Sequence, residues 1–192
     1  MAAWTTAGAS IAVALIAALF AYRNADAMHR KQQRLARLNL QLGEFYGPLF
    51  SLVEVGEAAW RQFRKDFRPG ISYLFADGEL TDEEHKKWVQ WMRVVFMPTN
   101  RRMYDLIVNK SHLLVEPQMP QCMVDFCAHV ATYEVILAQW DAGDESQVGS
   151  ALPWPLEFRP YVREMFRTLK QRQLALLPSS DEQRHQSVTL RP

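Results

Sequence analysis

Residues 35–52 read LARLNLQLGEFYGPLFSL, and the spacing within this stretch decides the fold. Apolar side chains recur at Leu35, Leu38, Leu42, Phe45, Leu49 and Leu52, in alternating steps of three and four. That is the period of one helix face, whereas a strand would repeat at every second residue. The stripe continues loosely through Ala59, Trp60, Phe63 and Phe67, and it crosses Gly47-Pro48 without losing phase. A proline inside a helix lacks its N–H, and its ring meets the carbonyl four residues back. The spacing therefore predicts a helix that persists through this point but kinks over 44–48. Ahead of the kink the stripe is narrow; after it Tyr46, Phe50, Val53 and Trp60 widen it. A narrow seam leading into a broad apolar face predicts a stalk that enters a helical body.

Helical spacing also governs the residues that follow. Arg68-Pro69-Gly70 is breaker chemistry. Thr81-Asp82-Glu83-Glu84 reads as a capping box, with Thr81 at the N-cap and Glu84 at the third helical position. The helix it opens carries Trp88, Trp91, Met92, Val95 and Phe96, and Pro98 ends or kinks it before Met103, Leu106 and Ile107. Beyond Pro117 and Pro120, a stripe runs from Met123 through Phe126, Val130, Tyr133 and Leu137 to Trp140, and Gly143 is placed as its stop. After Pro153-Trp154-Pro155 a last helix presents Phe158, Val162, Met165, Phe166 and Leu169. The chain is polar and aperiodic from Pro178.

The N-terminus is different in kind. Residues 1–22 hold no Asp, Glu, Lys, Arg or His, and Arg23 is the first charge. As a helix, residues 3–22 would span about 30 Å, the thickness of a bilayer's hydrocarbon core. Trp4 and Tyr22 bracket the run, where interfacial aromatics belong. Arg23, Arg30, Lys31, Arg34 and Arg37 follow it and no base precedes it, which predicts the N-terminus outside and the C-terminal side in the cytoplasm. The alternative is a secreted chain cleaved at the small-x-small tripeptide Ala25-Asp26-Ala27.

The expected fold is all-α: an N-terminal transmembrane helix, a kinked long helix or stalk, then a cytoplasmic bundle of about four to five helices. In domains, 1–22 is the transmembrane anchor, 23–45 a basic juxtamembrane stalk helix, 46–177 the helical bundle and 178–192 a flexible tail.

The 192 residues carry 22 Lys and Arg against 21 Asp and Glu, a net charge of +1 that argues against a nucleic-acid partner. This near-neutrality is a regional balance: 0 over 1–22, +4 over 23–37 and −3 over 38–192. Two Cys exclude a disulfide-rich scaffold and a four-cysteine zinc site.

No phosphate loop, nucleophile elbow, H-E-x-x-H or paired C-x-x-C occurs. No catalytic, cofactor-binding or metal-binding residue is assigned. The least implausible centre is Cys122, Asp125 and His129 on one helix face, against which stands a small buried thiol beside a core histidine. Asn100, Arg101 and Arg102 suit an anionic ligand as a group, or equally a solvated face at Pro98.

The segment Leu40-Gln41-Leu42-Gly43-Glu44-Phe45-Tyr46-Gly47-Pro48-Leu49, followed by Trp60, resembles one found in uncharacterised bacterial single-span membrane-anchored helical proteins. The similarity extends through Met97-Pro98-Thr99-Asn100 towards Trp140. The resemblance implies a bacterial source and transfers no site or activity.

The function expected from these residues is a membrane-anchored interaction, scaffold or accessory protein. Its partners are the lipid bilayer and a protein or second copy at the stalk. Leu35, Leu38, Leu42 and Trp154 are the expected contact surface, with Trp4, Tyr22, Arg23, Arg30 and Lys31 at the membrane interface. The alternatives are an oligomerising effector that perturbs the bilayer and a membrane-proximal enzyme without a motif.

Overall fold

The computed structural model describes residues 2–67 and 80–177, with side chains from residue 15 onward except residue 16. The described residues are helical, with no strand among them. They comprise α1 (Ala2–Gln41), α2 (Gly47–Phe67), α3 (Asp82–Trp91), α4 (Met97–Asn109), α5 (Gln121–Asp141) and α6 (Phe158–Leu176). Among them no helix is long and apolar enough to cross a membrane. Most side chains of the apolar run 3–22, Trp4 included, lie outside the described residues, so the expected transmembrane helix has no support from the structure. Arg68-Pro69-Gly70 and the tail from Pro178 also lie outside.

The chain forms two compact units, residues 1–39 with 171–192, and residues 40–170. In the first, Gln173 Nε2 donates to Asn39 Oδ1 at 2.6 Å, setting the end of α6 beside α1. Arg30 and Asp26 pair along α1 at 2.6 Å.

Pro48 and Pro98 of the second unit are each admitted by a π-helical turn. Leu42–Tyr46 is wound this way just before α2, and the Gly47 N–H donates to Leu42 O, five residues back. Met92–Phe96 repeats the device before α4, with the Met97 N–H on Met92 O. The wider turn supplies an acceptor register that the proline ring does not obstruct, which is how α-helices commonly absorb an inserted residue. The expected break at Pro98 is thus a change of pitch inside one continuous helix. One further residue in a turn rotates the following side chains by about 100°. Met92, Phe96 and Met97 are all buried at this turn, and the buried series then runs through Asn100, Met103 and Ile107.

Helix ends follow local chemistry. Thr81 and Glu84 form the reciprocal capping box at α3. Gly143, at φ 88°, closes α5: its N–H donates to Trp140 O and the Asp144 N–H to Gln139 O, the paired bonds of a Schellman stop.

Aromatic packing holds the second unit together. Phe126 stacks on Phe158 and Phe50 on Phe166, each with ring centres 4.3 Å apart, joining α5 and α2 to α6. Phe63 touches Trp60, Trp88, Trp91 and Phe96 between α2 and α3–α4. Burying one such side chain contributes about 1.5–3 kcal/mol. An exposed pair such as Arg101–Glu134 or Lys110–Glu44 contributes about 0–1 kcal/mol, so the core dominates. A Cβ built on Gly56 would lie 3.8 Å from the Thr99 methyl, and Trp60 meets Phe96 and Trp88. Ascending α2 therefore faces descending α4 and α3, and the two run antiparallel.

Candidate functional site

Between α2 and α3–α4 the second unit opens into a groove of about 1500 Å³. Val53, Gly56 and Trp60 of α2 form one wall, and Trp88, Met92, Val95, Phe96 and Met103 the other. His129 and Tyr133 of α5 also line it, and the segment 148–156 completes it. Met92, Val95, Phe96, Thr99, Asn100 and Met103 line this wall at helical spacing on either side of the junction between the π turn and α4. The turn keeps one continuous helix lined up along the groove while Pro98 passes.

Three side-chain donors hold the irregular wall. Trp88 Nε1 donates to Val148 O at 2.7 Å, Trp140 Nε1 to Gln147 O at 2.9 Å, and His129 Nδ1 lies 2.7 Å from Leu152 O. Trp154 then packs edge-on against Phe126, His129 and Phe158 while remaining 37% exposed. It both covers the core and lines the groove.

Two polar side chains are buried in this lining, Asn100 and His129, each 7% exposed. Burial pushes the His129 pKa down, opposed by the bond to Leu152 O, and favours the neutral ring. Asn100 hydrogen-bonds to no other described residue and does not cap the backbone at Pro98. Its neighbour Arg101 is committed to Glu134 by two bonds of 2.6 and 2.7 Å.

The charges along α2 divide sharply. Glu54 and Glu57 are taken by Arg163 and Arg159 of α6. One turn further on, Arg61, Arg64 and Lys65 also line the groove, and among the described residues no carboxylate pairs with them. Cations near a helix C-terminus suit its dipole, but three at this spacing repel one another.

A second polar cluster lies near the first π turn. Tyr46, fully buried, donates to Glu116 Oε2 at 3.4 Å and accepts from the Val115 N–H at 3.3 Å; Tyr161 donates to Glu116 Oε1 at 3.0 Å. Burial raises both phenols, so they stay protonated donors. Gln41 donates to Leu113 O and Lys110 pairs with Glu44. Together these contacts clamp segment 110–116 onto the π turn, which is a structural role.

The Cys122, Asp125 and His129 constellation does not assemble. Gln121 holds Asp125, His129 is bonded to Leu152 O, and burial raises the Cys122 thiol while pushing Cys127 up to about 11. A thiolate nucleophile is thereby disfavoured. Among the described residues no three of His, Cys, Asp and Glu group to hold a metal.

The residues expected at the membrane interface and stalk fall as follows. Tyr22, Arg23, Arg30 and Lys31 are exposed on α1. Leu35 and Leu38 are half-buried in the first unit, whereas Leu42 is buried in the second. Of the candidate site residues named from the sequence, Asn100, His129 and Trp154 are the ones the fold brings to one groove. The α2 cations carried no local signal of their role. No protein-family model, curated protein or solved structure matches the chain.

Proposed function

We propose that the chain is a membrane-anchored accessory protein that works by binding, with residues 3–22 as its tether and the groove of the second unit as its receiving site. The observation that carries this reading is the groove itself: an aromatic channel lined by Asn100, whose side chain bonds to no other described residue, and edged by three cations that form no ion pair among the described residues. Binding sites are commonly apolar concavities with a few placed polar groups.

For the tether, the support is the uncharged run to Tyr22 together with Leu15, Leu19 and Phe20, large apolar side chains exposed on α1. The basic segment after it favours the N-terminus outside and the binding domain in the cytoplasm. Asp26 is helical and paired with Arg30, which favours an anchor over cleavage at Ala25-Asp26-Ala27.

A photo-crosslinking amino acid at Val95, on the groove, and at Val135, exposed on α5 away from it, tests the binding role in native membranes. An adduct from Val95 alone is expected; equal or absent adducts at both positions overturn it. Deleting residues 2–22 is expected to release the protein from carbonate-washed membranes, and retention would refute the tether.

A further inference from the structure

Resting on that reading, we infer that the groove takes a single-chain anionic amphiphile: an alkyl chain along the aromatic walls and an anionic head at Arg61, Arg64 and Lys65.

Three observations converge on this class. The groove's lining runs along α2 from Val53 to Lys65, about 18 Å at the rise of an α-helix, so its shape favours an elongated occupant. Its walls offer aromatic faces at Trp60, Trp88 and Phe96 with Met92 between them, which suits a flexible hydrocarbon because thioethers adapt to irregular contact. The charge at its edge is of one sign. Glu57 is occupied by Arg159 and Glu54 by Arg163, so Arg61 keeps only a longer-range attraction to Glu54, and among the described residues Arg64 and Lys65, three and four positions further on, form no ion pair. An anion bound there relieves their repulsion and gains charge-assisted hydrogen bonds.

Asn100 adds selectivity. With one donor pair and one acceptor, its amide on the groove lining accommodates an ester or hydroxyl partway along a ligand better than bare hydrocarbon. A fatty carboxylate and a lysophosphatidate share the chain and the anionic head, but only the second carries polar groups behind the head. Asn100→Leu therefore separates the two sources.

The test uses the full chain in phosphatidylcholine nanodiscs, with Trp4→Phe throughout so that the membrane segment is silent. Dibromostearate quenches only tryptophans it touches, and Trp60, Trp88 and Trp154 line the groove. Saturable quenching is expected. Joint Arg61→Glu, Arg64→Glu and Lys65→Glu replacement weakens it by at least about tenfold while leaving the uncharged dibromostearyl alcohol unaffected. Gly56→Leu, which fills the channel from α2, abolishes quenching by both. Unchanged circular dichroism and melting temperature show that the variants are folded.

Non-saturable quenching, or quenching indifferent to the charge reversal, overturns the proposal. In competition, Asn100→Leu weakening lysophosphatidate but not oleate identifies the ester-bearing source. Equal loss or no loss assigns the ligand to the fatty carboxylate. A Val95 adduct with a polypeptide and no bromolipid quenching sinks the amphiphile but leaves the groove as a binding site. Neither signal sinks both.

Discussion

His129 Nδ1 lies 2.7 Å from the carbonyl oxygen of Leu152, and since a carbonyl only accepts, Nδ1 carries the hydrogen. One buried ring thereby fixes its own tautomer and anchors the wall of the groove.

Because burial lowers the His129 pKa below its ordinary 6.5, the unfolded chain binds a proton in a range where the folded chain does not. The stability from keeping this ring neutral is complete above pH 6.5 and is lost as pH falls from there through the folded value. His129→Gln keeps a donor for Leu152 O and removes the titration. Urea unfolding as a function of pH is expected to show a slope just below 6.5 in the parent and a flatter profile in the variant. The carboxylates Glu44 and Glu54, held below 4.5 by Lys110 and Arg163, act only at lower pH.

At Gly47 a Cβ would lie 2.3 Å from Leu42 O, the carbonyl that closes the π turn. Gly47→Ala therefore has to displace backbone, and is expected to cost about 1–3 kcal/mol. Gly43, in the same turn, has nothing within 4 Å of its Cβ position. Gly43→Ala is expected to be neutral or to stabilise by up to about 1 kcal/mol. Thermal unfolding of the two variants checks the contrast, and equal effects would refute the steric account.

Trp140→Phe retains most of the buried ring but deletes the donor to Gln147 O. An unpaired carbonyl and a lost bond cost about 1–3 kcal/mol. The effect is expected to be local: faster amide exchange across 147–152, with little change at Phe126 or Phe158, which stack independently of the indole.

Tyr46→Phe leaves the Val115 N–H without its acceptor and removes a donor to Glu116. A loss of about 1–3 kcal/mol is expected by chemical denaturation. Tyr161→Phe, which removes one donor and strands no backbone group, is expected to cost less.

The helices were legible because their signals are local. Thr81 and Glu84 lie three residues apart, Gly143 sits one step past its helix, and the Leu35 to Leu52 stripe keeps its own period. The prolines at 48 and 98 announced an interruption. Their resolution into π turns was not legible, because a pattern of threes and fours survives an inserted residue and the adjacent buried pair Phe96 and Met97 emerges only when burial is known.

The site was least legible of all. In the sequence Asn100 groups with Arg101 and Arg102, and His129 with Cys122 and Asp125, while Arg61, Arg64 and Lys65 carry no local signal. They belong to α2, α4 and α5, and the side chains between them follow ordinary core periodicity. Composition and spacing by themselves determined an all-helical chain with an uncharged leading segment, since propensity, capping and hydropathy act within a few residues. Which polar groups share a groove, and which cations line its edge, was decided by antiparallel packing of α2 on α3–α4. That relationship joins residues 28 to 43 positions apart, as Trp60 with Trp88 and Gly56 with Thr99 show, and leaves no trace in either segment alone.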